Sequence, residues 1–176
     1  MISEQIKLVL CEEKDLEALV SMSKQTYKQH YAYLWEDQGL SYMKEQFREN
    51  IMREQIQLND CQFYFITLGN SNIGVIKLNY NSGLAKYPVH SCMEIHRIYL
   101  LHQHIRKGHG AKVFNYIEQL ARQKEKEILW LMVMDSSPVK TFYENQGYFF
   151  HSKTSYEHPR ILQHLKGMHI MVKQLN

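Results

Sequence analysis

The hydrophobic pattern of the chain changes repeatedly between two periods, and each change marks the start of a new predicted element. Short runs rich in β-branched and aromatic side chains, bounded by Gly, Asn or Ser, predict strands. Apolar positions that recur every three or four residues predict amphipathic helices. The predicted strands are residues 6–11, 63–68, 73–78, 92–101, 128–134, 148–156 and 169–175, and the predicted helices are residues 12–27, 41–58, 108–126 and 138–146.

The second of these helices is predicted from a cap and one apolar face. Ser41 is a favourable N-cap residue, because its hydroxyl can accept a hydrogen bond from a free backbone N–H group of the first turn. The apolar side chains that follow at helical spacing are Met43, Phe47, Ile51 and Leu58. We therefore expect one continuous helix with this face buried.

The order of the strands predicts a mixed sheet. Residues 63–68 and 73–78 are separated by the turn at residues 69–72, Gly-Asn-Ser-Asn, which is typical of an antiparallel hairpin. Residues 92–134 form a strand, a helix and a strand, a crossover unit whose two strands are parallel. We therefore expect an α/β fold with a mixed, mostly antiparallel twisted sheet of about seven strands, a central parallel pair and flanking helices.

Composition places the chain among ordinary globular proteins. Its 176 residues suit one domain, residues 1–176, and 44% hydrophobic with 22% charged residues are typical of a packed core. A net charge of +3 is too small to predict nucleic-acid binding, which needs a dense basic surface. The three cysteines form no CxxC pair, which argues against a zinc site or a disulfide framework and favours a reducing cytoplasm.

The beginning of the chain and its apolar runs bear on targeting. Residues 1–11 include the acidic Glu4 and lack both a basic leader and a long apolar segment, so we expect no signal peptide. No apolar run approaches the roughly 20 residues that a membrane helix needs. We therefore expect a cytoplasmic protein without a membrane partner.

Residues 106–111, Arg-Lys-Gly-His-Gly-Ala, place two glycines at the predicted start of a helix. Backbone N–H groups at a helix start lack intrahelical partners and attract phosphate, and glycines let a ligand approach them closely. Arg106, Lys107 and Lys112 add positive charge. The alternative is a tight loop on a solvated basic face. The turn lacks the Gly-Lys-Ser/Thr of a nucleoside-triphosphate loop and the third glycine of a dinucleotide fingerprint.

Four segments in a fixed order make this turn interpretable. They are Glu94-Ile95-His96-Arg97-Ile98-Tyr99-Leu100, the glycine turn, Leu129-Trp130-Leu131-Met132-Val133 and Phe142-Tyr143-Glu144-Asn145-Gln146-Gly147-Tyr148. In this order the chain resembles the GNAT superfamily of acetyl-CoA-dependent N-acetyltransferases and, within it, the PaiA-type polyamine acetyltransferases. The likeness is strongest over residues 93–148. The resemblance implies an enzyme that transfers acetyl from acetyl-CoA to an amine.

The resemblance also implies where acetyl-CoA (coenzyme A) would lie. Its pantetheine arm would bond the backbone of residues 98–100 in a V between the parallel strands, and its pyrophosphate would lie on the amides of residues 106–111. The implied cofactor-binding residues are Ile98, Tyr99, Leu100, Ile105, Arg106, Lys107, Gly108, His109, Gly110, Ala111, Ser136, Lys140 and Tyr143. Two of them depart from the family pattern, because Ile105 replaces a Gln or Arg and Ser136 replaces an Asn.

Acetylation of an amine needs a base for the amine and a proton for the departing thiolate. The resemblance assigns that proton to Tyr143, although the same side chain also suits an aromatic residue that packs one helix face. For the base, a regular strand places Glu94, His96 and Ile98 on one face near the expected cofactor arm. Glu94 is the first candidate and His96 the second, and a solvated face or a structural ion pair is the alternative.

An aromatic segment with neighbouring acids supplies the candidate acceptor site. Tyr31, Tyr33 and Trp35 could hold a cationic amine against their ring faces, and Glu36 and Asp37 could pair with its charge. A loop anchored by buried aromatic side chains is an equally good interpretation. A polyamine-like acceptor follows from the resemblance alone, and a small-molecule or peptide amine is the broader expectation.

The sequence also bears on metal binding, regulation and assembly. His102, His104 and His109 cluster, but they form no HExxH pattern and have no cysteine partners, so we expect no metal site. The unusual Ile105 and Ser136 motivate a second function, a non-catalytic module that binds acyl-CoA and regulates a partner. The sequence leaves open a homodimer.

Overall fold

A seven-stranded sheet runs through the computed structural model, which describes residues 5–175; residues 1–4, with Glu4, and residue 176 lie outside the described residues. The strands are β1 (Ile6–Leu10), β2 (Cys61–Leu68), β3 (Ser71–Tyr80), β4 (Cys92–Leu100), β5 (Ile128–Met134), β6 (Phe149–Ser155) and β7 (Gly167–Gln174). The helices are α1 (Leu16–Tyr31), α2 (Leu40–Gln46), α3 (Glu49–Ile56), α4 (His109–Gln123) and α5 (Lys140–Asn145). In space the strands follow the order β1-β2-β3-β4-β5-β7-β6.

The predicted fold class is confirmed. β4 and β5 are parallel, and the other neighbouring strands of the described sheet pair antiparallel. A parallel pair needs a crossover connection, and α4 supplies it between β4 and β5. The assignment of residues 1–176 to one domain stays a prediction.

Two apolar cores hold helices to the two faces of the sheet. The residues that α4 turns toward the strands are Val113, Phe114, Ile117 and Ala121, each at most 1% exposed. On the opposite face, Leu19 of α1 and Met52 of α3 are fully buried. Burial of an aliphatic or aromatic side chain of this size contributes about 1.5–3 kcal/mol. We call these two sides of the sheet the α4 face and the α1 face.

The prediction of one continuous helix from Ser41 to Leu58 is wrong, because the chain leaves the helical conformation at Phe47. This residue has φ −114° and ψ 44°, and its ring is fully buried in the core of the α1 face. A separate helix therefore begins at Glu49, and Leu58 is 58% exposed. The N-cap of α2 is not Ser41 but Gly39, whose φ of 81° lies in the region that favours glycine.

One residue of β4 lies outside the regular pairing with β3. Lys77 of β3 is opposite Arg97. The next residue of β3, Leu78, is opposite Ile95, so His96 is the extra residue of a β-bulge. A bulge bends its strand and increases the local twist, and this one lies in the middle of the sheet.

The bulge changes which side chains of β4 share a face. Residues that are directly opposite in an antiparallel pair point to the same side of the sheet. Their partners on β3 therefore place Glu94, Arg97 and Tyr99 on the α1 face. Ile98 packs against the core of the α4 face instead. The prediction that Glu94, His96 and Ile98 share a face is wrong, because the extra residue shifts the alternation by one.

Candidate active site

The parallel strands pair at one end and separate at the other. Their register is limited to Cys92–Glu94 opposite Ile128–Trp130. Beyond these residues the strands diverge toward their carboxyl ends and form a V. A cleft of about 820 Å³, its open mouth included, lies in this V and is lined by residues 95–99 of β4 and by residues of β5.

Backbone groups of β4 are directed into the V. The N–H of Leu101 donates across to β3 at 2.9 Å. Because donors and acceptors alternate in direction along an antiparallel strand, Ile98 and Leu100 direct theirs to the opposite side, toward the cleft. The Leu100 carbonyl already accepts a hydrogen bond from His30 Nε2 at 2.6 Å. Of the three residues predicted to hold the cofactor arm, Ile98 and Tyr99 also line the cleft.

The predicted phosphate-binding turn lies at the N-terminus of α4. Gly108 is the N-cap with φ 78°, and a Cβ added to it would meet nothing within 4 Å. The N–H of Lys112 bonds the Gly108 carbonyl, which leaves the amides of residues 109–111 without intrahelical partners. Arg106 and Lys107 are exposed beside them. Free N–H donors, open space and positive charge together fit the diphosphate of coenzyme A.

The start of α4 packs against α5, and this contact positions Tyr143. A Cβ added to Gly110 would lie 3.0 Å from the Phe142 ring, so the absence of a side chain permits the close approach. Phe142 in turn packs edge to face against Phe114 of α4, with ring centroids 5.5 Å apart. Tyr143 is 8% exposed and lines the cleft. Burial raises the pKa of Tyr143, and its phenol is therefore protonated at neutral pH.

Three other predicted cofactor residues lie on loops or helix ends around the cleft. Ser136 follows β5, and its Oγ lies 2.9 Å from the hydroxyl oxygen of Tyr33. Lys140 begins α5, its Nζ lies 4.0 Å from Glu144 Oε1, and its side chain is 44% exposed. Ile105 is half-buried and precedes the glycine turn. None of the three is among the described residues that line the cleft, and their contacts with the cofactor stay predictions.

The two candidate bases form a hydrogen-bonded pair. Glu94 is 5% exposed and accepts hydrogen bonds from Asn79 Nδ2 at 2.8 Å and Ser82 Oγ at 3.1 Å. Its second oxygen accepts a hydrogen bond from His96 Nδ1 at 3.1 Å. His96 lines the cleft and its side chain is 31% exposed, whereas Glu94 lies behind it. His96 is therefore the member of the pair that a substrate can reach.

The protonation states of this pair suit a base. Burial lowers the pKa of His96, the positive charge of Arg97 acts in the same direction, and the bond to Glu94 opposes them. Burial works against ionisation of Glu94, but the hydrogen bonds from His96, Asn79 and Ser82 hold its pKa below the ordinary value. At neutral pH, Glu94 is a carboxylate and His96 a neutral imidazole. Because Nδ1–H donates to Glu94, the lone pair of His96 lies on Nε2.

Arg97 lines the cleft, although no role was predicted for it from the sequence. It is 5% exposed, and its guanidinium lies 4.9 Å from the centroid of the Phe47 ring. Nη2 donates to Gln46 Oε1 at 3.3 Å, while Nε and Nη1 have no hydrogen-bond partner. A charged residue between Ile95 and Ile98 in a strand predicted to be central was the available signal, because burial of a charge is costly unless it has a function.

The predicted acceptor segment contributes aromatic rings to the cleft but no carboxylates. Tyr31 and Trp35 line the cleft. Asp37 accepts hydrogen bonds from two backbone N–H groups at the start of α2, at 2.8 and 3.1 Å, and so stabilises the first turn of that helix. Glu36 forms an exposed ion pair at 3.8 Å. Within residues 5–175, the cleft is lined by neither aspartate nor glutamate.

Two further features concern metals and membranes. In the described part of the chain, no three His, Cys, Asp or Glu side chains are arranged so that they could hold a metal ion. The rings of His104 and His109 lie 6.1 Å apart at the glycine turn. Among the described helices, none has the length and apolar character needed to cross a bilayer.

Sequence comparisons point to one family. Residues 27–148 match the model of the Acetyltransferase (GNAT) family, a span that includes the cleft residues of β4 and β5 and the glycine turn. A curated relative, the uncharacterized N-acetyltransferase in the pepI 3′ region of Lactobacillus delbrueckii subsp. lactis, is 25% identical over 144 residues. That alignment covers 81% of this chain and 83% of the relative.

Solved structures share the fold over nearly the whole chain. PaiA N-acetyltransferase from Thermoplasma acidophilum, in complex with coenzyme A, has a TM-score of 0.75 at 21% identity and covers 97% of this chain and 99% of its own. The spermidine/spermine N-acetyltransferase SpeG from Vibrio cholerae has a TM-score of 0.67 at 16% identity and covers 97% of this chain and 92% of its own. The ribosomal-protein-S18-alanine N-acetyltransferase from Escherichia coli has a TM-score of 0.69 at 14% identity and covers 98% of this chain and 95% of its own. These likenesses show the fold, and their names span polyamine and protein acceptors.

Proposed function

Because the chain belongs to the acetyltransferase (GNAT) family, we propose that it transfers the acetyl group of acetyl-CoA to a primary amine of a small molecule or peptide, by direct attack in a ternary complex. The observation that carries the proposal is that one cleft contains a neutral histidine, His96, and a protonated phenol, Tyr143. These groups supply the proton acceptor and the proton donor that the reaction needs.

Acetyl-CoA supplies a thioester, whose acyl carbon is open to attack by an amine. The free amides of residues 109–111 would hold its diphosphate, supported by the charges of Arg106 and Lys107. The backbone groups of Ile98 and Leu100 that point into the V would hold the pantetheine arm. The open space above Gly108 supports this placement, because a ligand can contact the backbone there without obstruction.

His96 accepts the proton of the attacking amine on Nε2. An amine is protonated at neutral pH and becomes a nucleophile only when that proton leaves, and a general base of this kind contributes about 10²–10⁴-fold to the rate. Glu94 acts through His96, because its carboxylate orients the ring and determines which nitrogen is free. We therefore assign Glu94 as a positioning residue behind the base.

Tyr143 donates its hydroxyl proton to the sulfur as the new carbon–nitrogen bond forms and the carbon–sulfur bond breaks. The raised pKa of this phenol keeps the proton available until negative charge develops on the sulfur. The edge-to-face packing of Phe142 on Phe114 holds the segment that carries Tyr143 against α4. The donor is therefore fixed in place before the substrates bind.

Replacement of Tyr143 by Phe tests this assignment. Tyr143→Phe should lower kcat by about 10²-fold or more, in line with the loss of a general acid. Tyr148→Phe is the matched control, because Tyr148 is 2% exposed in the same aromatic cluster and its hydroxyl has no hydrogen-bond partner. Thiol release with a panel of amines measures turnover, and isothermal titration measures acetyl-CoA binding. Full turnover by Tyr143→Phe would remove the assigned acid.

The same two measurements decide whether the chain is an enzyme or a regulatory module. Binding of acetyl-CoA with no amine acetylated would favour a module that binds acyl-CoA without catalysis. A cytoplasmic setting belongs to our proposal and is supported by three buried free cysteines, Cys11, Cys61 and Cys92. The polyamine-like acceptor and the homodimer stay predictions.

A further inference from the structure

The guanidinium of Arg97 is buried in the cleft with most of its hydrogen-bonding capacity unused. Arg97 is 5% exposed. Its Nη2 donates one long hydrogen bond to Gln46 Oε1, and Nε and Nη1 donate none. An arginine carries five N–H donors and is charged at every physiological pH. A buried charge without a partner is strongly destabilising. This arrangement indicates a partner that is not part of the chain.

The neighbours of Arg97 do not supply that partner. Glu94 is engaged by three other side chains. The hydroxyls of Tyr42 and Tyr99 lie near enough to stabilise the charged guanidinium, but both are neutral phenols and neither is a hydrogen-bond partner of Nε or Nη1. The Phe47 ring lies against the guanidinium, and Nε and Nη1 are buried without a hydrogen-bond partner. In the part of the chain that the structure describes, no acidic side chain lines the cleft.

A second cation makes this region more positive. Lys77 lies directly opposite Arg97 on β3 and is 7% exposed, with its ammonium 5.7 Å from the centroid of the Phe63 ring. Like charges that are directly opposite in a sheet are destabilising, and burial of both adds to the cost. Lys77 and Arg97 carry two positive charges against the single negative charge of Glu94 nearby, so this region repels a polycation and attracts an anion.

We propose that Arg97 binds a carboxylate of the acceptor, so that the acceptor is a small amine that also carries a carboxylate group. Nη1 is free and its neighbour Nη2 holds only one bond of 3.3 Å, so this end of the guanidinium suits the two oxygens of a carboxylate. Aromatic side chains such as Tyr31 and Trp35 would cover the apolar part of the acceptor. The inference rests on the proposed function and names its substrate class.

Matched pairs of amines test the assignment. The full chain would be assayed with saturating acetyl-CoA on ω-amino acids from β-alanine to 6-aminohexanoate, each compared with the alkylamine of the same carbon number, and on spermidine. For the best amino acid, kcat/KM should exceed that of its alkylamine by about 10- to 100-fold, the range expected for a hydrogen bond between charged groups. Arg97→Met should remove this preference by raising KM for the amino acid to about that of the alkylamine of the same carbon number.

Arg53→Met is the matched control, because it removes an arginine charge at a site outside the cleft. Arg53 lies in α3, is 43% exposed at its side chain and pairs with Glu13 at 3.0 Å. This variant should keep the wild-type preference for the amino acid. It therefore separates a specific effect of Arg97 from a general effect of net charge.

Two measurements of stability separate recognition from a structural role. Replacement of a buried unpaired charge by an apolar side chain is neutral or stabilising, so Arg97→Met should unfold at the wild-type temperature or above it. The best amino acid should raise the unfolding midpoint of the wild type and of Arg53→Met but not of Arg97→Met. Coenzyme A should raise the midpoint of all three.

The outcomes distinguish this inference from the proposed function. Equal or faster acetylation of alkylamines or spermidine would overturn the role of Arg97 and leave the acetyltransferase activity standing. A carboxylate preference that survives in Arg97→Met would do the same. If no amine is acetylated, the proposed function fails and the midpoint shift decides: a shift with the amino acid that Arg97→Met lacks supports the carboxylate site, and its absence refutes the site.

Discussion

Replacement of Glu94 by Gln changes one oxygen to an NH₂ group and keeps the shape of the side chain. Asn79 and Ser82 both donate to the same oxygen, Oε2, while His96 Nδ1 donates to the other, Oε1. In the variant, the amide oxygen must remain with the two donors, since an NH₂ group cannot accept their hydrogen bonds. The NH₂ group of the new side chain therefore faces His96.

This substitution should reverse the tautomer of His96. The amide N–H donates to Nδ1, so the ring proton moves to Nε2, the nitrogen that is left for the cleft. A nitrogen that already carries a proton cannot accept one from the amine, and the general-base contribution of about 10²–10⁴-fold is lost. We expect kcat to fall about 100-fold at neutral pH. Affinity for coenzyme A should not change, because Glu94 does not line the cleft.

The pH dependence of kcat gives a second readout of the same substitution. In the wild type, the carboxylate of Glu94 raises the pKa of His96 against the effect of burial. Removal of this negative charge lowers the pKa of His96 further, so the acidic limb of the kcat profile should move to lower pH. Glu144→Gln is the control, because Glu144 is 49% exposed on α5 and should leave kcat and its acidic limb unchanged.

Stability against pH follows from the same carboxylate. The fold holds the pKa of Glu94 below its ordinary value of 4.5, so its stabilising contribution is complete above pH 4.5 and is lost as pH falls through the lowered pKa. Glu94→Gln should cost about 1–3 kcal/mol of unfolding free energy at neutral pH, and this difference from the wild type should shrink in acid. A variant with wild-type kcat and an unmoved acidic limb would refute His96 as a base that Glu94 orients.

Three further predictions concern the glycine turn and a buried thiol. Gly110→Ala should lower kcat by about 10- to 100-fold in steady-state assays, because its Cβ would displace the Phe142 ring and with it Tyr143; unchanged kcat would contradict this packing argument. Gly108→Ala should instead cost about 1–2 kcal/mol in chemical denaturation, since its φ of 78° strains an alanine while the space around it is open. Burial raises the pKa of Cys11 to about 12, so iodoacetamide at pH 8 should modify this thiol only after denaturation, as mass spectrometry would detect.

The elements that local chemistry determines were predictable from the sequence. The strand predicted at residues 128–134 has these bounds, and the helix predicted at 108–126 is found at His109–Gln123 with Gly108 as its cap. Both follow from composition and turn residues in short windows. The break at Phe47 was not predictable in this way, because it depends on a ring that packs under the guanidinium of Arg97 from a strand far along the chain.

The candidate site was predictable only in part. The glycine turn and Tyr143 came from a motif order, and the structure brings Tyr143 to the cleft and the turn to the N-terminus of α4. The hydrogen bond between Glu94 and His96 was not predictable, because it depends on the bulge at His96, and the surroundings of Arg97 were not, because Phe47 packs against it from a distant part of the chain. Asp37 was predicted to bind the acceptor, but its carboxylate instead accepts backbone hydrogen bonds at the start of α2.

The bulge at His96 explains why the hydrophobic pattern predicted β4 well and its site poorly. On both sides of His96, β4 pairs regularly with β3, as it would if His96 were not there. The bulge follows Glu94, the last residue of β4 that pairs with β5, and the bend of a bulged strand contributes to the separation of the two strands. Because His96 is the extra residue, it does not follow the alternation of the strand and lies beside Glu94. Glu94 and Arg97 both point to the α1 face. If His96 were deleted, β4 would keep its buried apolar positions but lose the proposed base. The alternation of apolar and polar residues is the same in both cases, so this alternation alone does not predict the bulge.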